Sequence, residues 1–404
     1  MNTVGRRLFW ITTSLALAVC CVQTIRKALR PYGYDLTAYL DAGAAALAGQ
    51  SPYGLEVTFP YLYSPFFACL MVPWTWLPGT VAALLWFAIS VWSLGYVVAR
   101  VGGWVGGTAR SGGWWLAAMA LLAVGWYRIV HSNLVNGQVN LILLAMCVAS
   151  FEAERRGRSA RAGFWLALAV HTKALPILLL GYLLVRRRWA AIGWCASFGV
   201  AFAVAPAVFW GDETLAVYRA YVEQLQQKIA RGTIDDGAIT IASRGDLEYF
   251  TLRGLLAVLL PSTSASVLVK YACLAAVVGG AFVVDLVARR SRERLVHGAA
   301  FATWLAASLL ISPISEKHHL ALTFPAWAVG AFAVARRPSA VAIGLLAACT
   351  VVIWIAKHLP EGPWYLLTIV VSLAMVWHAA SPRSGQVERE AGSLREAVGG
   401  SAST

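Results

Sequence analysis

Apolar runs of about 20 residues recur along this chain as far as residue 380, and a helix of that length crosses the ~30 Å hydrocarbon core of a bilayer. Backbone N–H and C=O groups find no water in lipid, so such runs are satisfied as helices. The fold class expected is therefore all-α, a polytopic integral membrane protein. Composition agrees, with 59% hydrophobic residues, 13% charged residues and a mean hydropathy of +0.66, whereas soluble domains carry about 25% charged residues.

A formal charge of +14 would raise nucleic acid as a partner for a soluble protein. Here the arginines gather in short loops between apolar spans, at Arg155, Arg156, Arg158 and Arg161, at Arg186 to Arg188, at Arg289 to Arg294, and at Arg336 with Arg337. That is the positive-inside pattern, and no nucleic-acid partner is expected. The cysteines lie almost all inside apolar spans, with no CxxC and no His at metal-ligand spacing, and read as small core residues. Arg6 and Arg7 ahead of an apolar run to Val22 imitate a signal peptide, but no small-residue cleavage site follows, so the segment reads as an uncleaved first helix.

With the N-terminus inside, about 12 spans fit, near residues 8–25, 80–99, 114–130, 138–151, 162–172, 173–185, 189–210, 264–288, 298–311, 320–335, 339–356 and 364–380. Parity puts every strong arginine cluster on the cytoplasmic side, together with a tail, 381–404, whose composition reads as disordered. Residues 1–380 then form one transmembrane domain with two large non-cytoplasmic loops, 26–79 and 211–263. Ser64 to Leu77 is apolar but interrupted by proline, and its Trp74 and Trp76 suit an interfacial or re-entrant segment. Roughly 24 residues separate the basic clusters on either side of His171-Thr172-Lys173. This is too few for two crossings, so two short helices turning near Pro176 are predicted. No internal repeat of the kind that builds many transporters is visible.

Most of the informative polar residues fall on the non-cytoplasmic side. Asp35-Leu-Thr-Ala-Tyr39-Leu-Asp41 sets a carboxylate just outside the first span, with Asp41 an alternative to Asp35, although a solvated loop carboxylate has the same appearance. Arg128, His131, Asn133, Asn136-Gly-Gln138 and Asn140 straddle two span ends; amides there are costly unless bonded, either to a capped helix end or to a sugar. Lys173 beside His171 lies between apolar runs, where an ionisable group either serves a site or snorkels to the interface. In Ser312-Pro-Ile-Ser-Glu-Lys317-His318-His319 the adjacent histidines point about 100° apart on a helix, which disfavours a shared metal and suits a phosphate or sugar contact. Arg253 in the second loop either adds charge to an anionic-lipid site or anchors at the interface.

In this order, Asp35-Leu-Thr-Ala-Tyr39, Gly49-Gln-Ser-Pro-Tyr53, Tyr63-Ser-Pro65, Asn136-Gly-Gln-Val-Asn140, Lys173-Ala-Leu-Pro176 and the Ser312–His319 motif resemble family-87 glycosyltransferases, over roughly residues 30 to 335. The resemblance implies a GT-C fold with juxtamembrane helices in the first non-cytoplasmic loop. It implies transfer of a sugar, mannose or in some members arabinofuranose, from a polyprenyl-phosphate donor to a lipid-linked glycan outside the cytoplasmic (inner) membrane, with no metal and no cofactor. Carried onto these positions, it makes Asp35 the catalytic base and places His318 or His319 in the site. Glu316 and Lys317 follow the Ser-Pro-Ile-Ser run where an aromatic follows it in other members.

The mechanism expected is an inverting displacement, with Asp35 taking the acceptor's proton while Lys173 and a histidine meet the charge growing on the leaving phosphate. Tyr39, Asp41, Asn136, Gln138, Asn140, Arg253 and Lys317 complete the expected substrate-binding set. A transporter or lipid flippase is the rival class, since it also needs a polar cavity with intramembrane cations.

Overall fold

The computed structural model describes residues 3–30, 34–54, 60–105, 125–232, 252, 264–291, 294–312 and 317–336, with 343, 344, 347, 348, 350 and 351 beyond them. Among these every regular element is helical. In chain order they are α1 (Thr3–Ala28), α2 (Asp35–Leu47), α3 (Pro65–Met71) and α4 (Gly79–Val105), then α5 (Gly125–Val135). There follow α6 (Asn140–Arg155), α7 (Ser159–Thr172), α8 (Leu179–Val185), α9 (Trp189–Val204), α10 (Ala207–Trp210), α11 (Thr214–Gly232), α12 (Ser264–Ala288), α13 (Arg294–Ile311) and α14 (Phe324–Arg336).

Four helical runs among the described residues are long and apolar enough to cross a bilayer, or up to five if α5 and α6, bent 111° apart, make one broken span. Large apolar side chains such as Trp92 and Val208 stay 68% and 84% exposed, as expected where the surrounding solvent is lipid. The expected spans near 339–356 and 364–380 and the tail lie wholly or mostly outside the described residues, as does much of the second loop.

The segment around Lys173 has the short helices predicted for it. At 1.5 Å per residue α7 is only ~21 Å long, and a 3₁₀ turn over Leu175–Leu178, opened by Pro176, leads into the seven-residue α8. The second loop opens with a helix that the sequence reading did not single out: after residue 210 the backbone turns at Gly211 (φ 50°) and enters α11. Its Val217 and Tyr221 pack against the first loop, while its exposed side mixes Arg219, Glu223 and Gln226 with Leu215 and Val222.

Two cores result. The larger centres on α6 and α13, with Leu144, Phe151, Leu166, Trp304 and Trp327 almost fully buried. The smaller is aromatic and draws on Tyr34, Tyr39, Tyr53, Tyr61, Phe67, Trp86 and Trp210 from α2, α3 and the elements they touch. Gly43 of α2 makes this second core possible, because a Cβ there would lie 2.8 Å from the Met71 backbone of α3.

The helices alternate in direction, which sorts the sequence by end. α6 starts at Asn140 and finishes at Arg155; α7 returns from Ser159 to Thr172, beside Lys173. At the arginine end, buried Asp285 pairs with Arg186 at 2.7 Å and accepts from Trp304 Nε1 at 3.1 Å, and Glu154 pairs with Arg188. A buried carboxylate left without such a partner would be strongly destabilising. The opposite end carries the polar motifs.

Candidate active site

The bend between α5 and α6 creates the site's polar centre. Gly137 turns the chain at φ +64°, a left-handed conformation open to glycine, and so brings Asn133 near the end of α5 against Asn140 at the start of α6. Both amides are fully buried and fully engaged. Asn133 Nδ2 donates to the Ile129 carbonyl (2.8 Å) and to the His318 carbonyl (3.0 Å). Asn140 Nδ2 donates to Asn133 Oδ1 (3.2 Å) and Gln138 Oε1 (3.4 Å).

Lys173 completes this cluster. It sits in extended backbone where α7 ends, and its ammonium donates to Asn140 Oδ1 at 3.3 Å and contacts His319 Nε2. The same ammonium lies 5.3 Å from the centre of the Tyr63 ring, within cation–π range. It points inward and does not snorkel. An ammonium can only donate, so with Lys173 charged the His319 Nε2 accepts and its ring proton resides on Nδ1. His318 stacks edge-on to His319 at 4.6 Å.

The first loop closes over this centre. Tyr63 shares a 2.8 Å hydroxyl hydrogen bond with Tyr39, and Tyr53 donates to the Tyr63 carbonyl at 2.7 Å. Burial above all, then Tyr63 and the charge of Asp35, push the Tyr39 hydroxyl well above its ordinary pKa, so it remains a proton donor. Asp35 opens α2, one turn before Tyr39 and on the same face. A carboxylate in the first turn is favoured by the helix dipole. Asp41 occupies a different, exposed face of α2.

Contacts at Gly137 tie the two halves together. A Cβ there would lie 2.9 Å from both Leu36 Cβ and Tyr34 Cε2, the residues on either side of Asp35. Gly137→Ala should therefore displace the start of α2. Because a misplacement of about 1 Å can cost on the order of 100-fold in rate, kcat should fall by about that factor, and the alanine's strain at positive φ should lower the melting temperature as well. Parallel turnover and thermal-unfolding measurements check this.

Of the residues singled out in the sequence, Tyr39, Gln138, Asn140, Lys173 and His319 thus form one connected set. Asn136 belongs to its rim and accepts from Lys27. Arg253 lies outside the described residues, and Lys317 opens the 3₁₀ turn Lys317–Thr323 that carries the histidines. Sequence reasoning missed Lys27, Gln23, whose Oε1 is 2.6 Å from His131 Nε2, and Gln224, which clamps the first loop through the Tyr61 carbonyl (2.6 Å) and Gly54 N (2.9 Å). Among the described residues no group of three His, Cys, Asp or Glu side chains is arranged to hold a metal ion.

Comparison with known proteins gives this geometry a context. The pattern of glycosyltransferase family 87 matches residues 61–313, which takes in Tyr63, the Asn136–Asn140 turn and Lys173 but neither Asp35 nor the paired histidines. A polyprenol-phosphate-mannose-dependent alpha-(1-2)-phosphatidylinositol mannoside mannosyltransferase of Mycobacterium tuberculosis is 26% identical over 380 residues, 87% of this chain and 83% of that protein. Its counterpart in Mycolicibacterium smegmatis is 30% identical over 215 residues, 46% of this chain and 47% of that protein. A phosphatidylinositol pentamannoside mannosyltransferase of M. tuberculosis, also polyprenol-phosphate-mannose-dependent, is 27% identical over 384 residues, 86% of this chain and 81% of that protein. No solved structure matches.

Proposed function

The chain belongs to glycosyltransferase family 87, and we propose that this membrane glycosyltransferase moves mannose from a polyprenyl-phosphate donor to a lipid-linked glycan of the phosphatidylinositol mannoside type. The observation that carries the reading is the buried Asn133–Asn140–Lys173–His319 cluster beneath the loop that begins at Asp35. The donor and acceptor named for the relatives suit it, since one is an anion and the other brings a hydroxyl.

The reaction is an inverting displacement. The acceptor hydroxyl attacks the anomeric carbon, its proton passes to Asp35, and the bond to polyprenyl phosphate breaks with its electron pair on the phosphate oxygen. Lys173 and His319 meet that charge, and Asn140 holds Lys173 in place. Charge-complementary groups fixed in advance in a site shielded from water stabilise such a transition state without reorganising. These side chains supply the neutralisation, so no metal is needed. The architecture is GT-C, one domain through residue 380 with about 12 spans, the site facing away from the cytoplasm in the inner membrane and the arginine end facing in.

Purified protein in detergent, given polyprenyl-phospho-mannose with a radiolabelled sugar and a phosphatidylinositol mannoside, should yield labelled acceptor of inverted anomeric configuration, unaffected by chelator. Transport is impossible in a micelle, so a protein that binds donor yet transfers no label would overturn the reading.

A further inference from the structure

Along the flank of α6, from Ile142 to an arginine-lined mouth at the end opposite the candidate site, α4, α6 and the start of α7 enclose a groove of about 240 Å³. Its walls are apolar for most of their length, with Ile89 and Trp92 from α4 facing Ile142, Ala145, Met146 and Ala149 from α6. The mouth is different. Arg100, Arg156, Arg158 and Arg161 line it, against a single carboxylate, Glu152.

Glu152 is already committed, pairing with Arg156 at 3.3 Å and accepting from Trp104 Nε1 at 2.6 Å. Arg100 lies over the Tyr96 ring at 5.1 Å, and Arg158 and Arg161 are exposed. The groove thus combines a strong positive charge at one end with an uncharged trough leading away from it. From Ile142 to Arg156 the helical rise gives ~21 Å, enough for one leaflet of a ~30 Å hydrocarbon core and its headgroup zone. A soluble anion would use the charge and leave the trough empty. A zwitterionic lipid would fill the trough and offer a phosphate, but its headgroup would bring a second cation among the arginines, so its zero net charge would offset less of theirs than an anionic lipid's would.

We propose that this groove binds an anionic phospholipid of the arginine-side leaflet, its phosphate held by Arg100, Arg156, Arg158 and Arg161 and one acyl chain lying between α4 and α6. Guanidinium groups match phosphate oxygens in a planar fork, which makes arginine well suited to this role. The α6–α7 turn that meets the phosphate joins the two helices whose other ends present Asn140 and Lys173. The lipid therefore braces the hairpin that carries the site.

Native mass spectrometry of the full chain, released from detergent with equimolar phosphatidylglycerol and phosphatidylcholine of identical acyl chains, tests this. The wild type should retain phosphatidylglycerol preferentially. Arg158→Gln/Arg161→Gln should lower that preference by about 30-fold, the effect of two interfacial basic charges. Arg187→Gln, an equal charge change per residue at the neighbouring turn outside the groove, should leave it unchanged. Ala149→Phe should reduce retention of both lipids by blocking the trough. Equal retention of the two lipids by the wild type would overturn the proposal, and a loss in Arg187→Gln matching that per arginine in the double variant would overturn it in favour of diffuse surface charge.

Discussion

Asp35→Asn should lower mannosyl transfer by about 10² to 10⁴-fold, the usual contribution of a positioned general base, while Asp41→Asn should stay close to wild type. The two carboxylates are six residues apart and equally plausible in the sequence, but the structure sets them on different faces of α2. Asp35 shares a face with Tyr39 and is flanked by the two residues that pack on Gly137, whereas Asp41 is exposed. Asparagine preserves the size of the side chain and its place in the first turn, so the loss should appear in kcat with little change in the melting temperature. Steady-state kinetics on both variants check it. Full turnover by Asp35→Asn would remove it as the base, and a matching loss in Asp41→Asn would point to a general effect on the loop.

Lys173→Ala has the second large effect expected, a fall of about 10² to 10³ in kcat, the range seen when one preorganised charge-stabilising donor is removed. The ammonium is held by Asn140 and His319, both buried in the bundle, and by the Tyr63 ring of the loop that covers them. A cation so placed opposes charge that grows as the phosphate departs, so kcat should suffer more than KM. Lys173→Arg should recover part of the rate, because it keeps the charge but not the compact ammonium shape. A structural role alone would instead lower stability and be insensitive to the leaving group. Comparing donors whose phosphates differ in basicity separates the two, since loss of a leaving-group cation hurts the more basic phosphate more.

The sequence made the helical membrane fold legible because hydrophobicity acts over whole spans and survives local error. Short helices around Lys173 were also legible, since roughly 24 residues cannot cross a bilayer twice. The helical nature of 214–232 was not, because its pattern mixes polar with apolar residues and its partner surface, the aromatic first loop, is distant in the chain. Asn140, Lys173 and His319 stood out individually as polar groups in apolar surroundings. Their convergence depends on a backbone bend at Gly137 and on a contact 146 residues apart in the chain, neither of which a periodicity reveals. Lys27 left a signal that went unused. It lies with Arg26 at the end of α1 away from the arginine clusters, against the positive-inside bias, and a basic residue on the disfavoured side calls for a partner. The partner is Asn136.

In the proposed mechanism the Lys173–His319 pair receives the donor's phosphate and Asp35 faces the sugar. A structure of the full chain with bound polyprenyl-phospho-mannose, or an unreactive analogue of it, tests this most directly. The expected result is phosphate density within hydrogen-bond distance of Lys173 Nζ and the His319 ring, with the mannose lying between that phosphate and the Asp35 carboxylate. Donor phosphate bound elsewhere, with Lys173 still engaged by Asn140 and His319 as in the free protein, would contradict it.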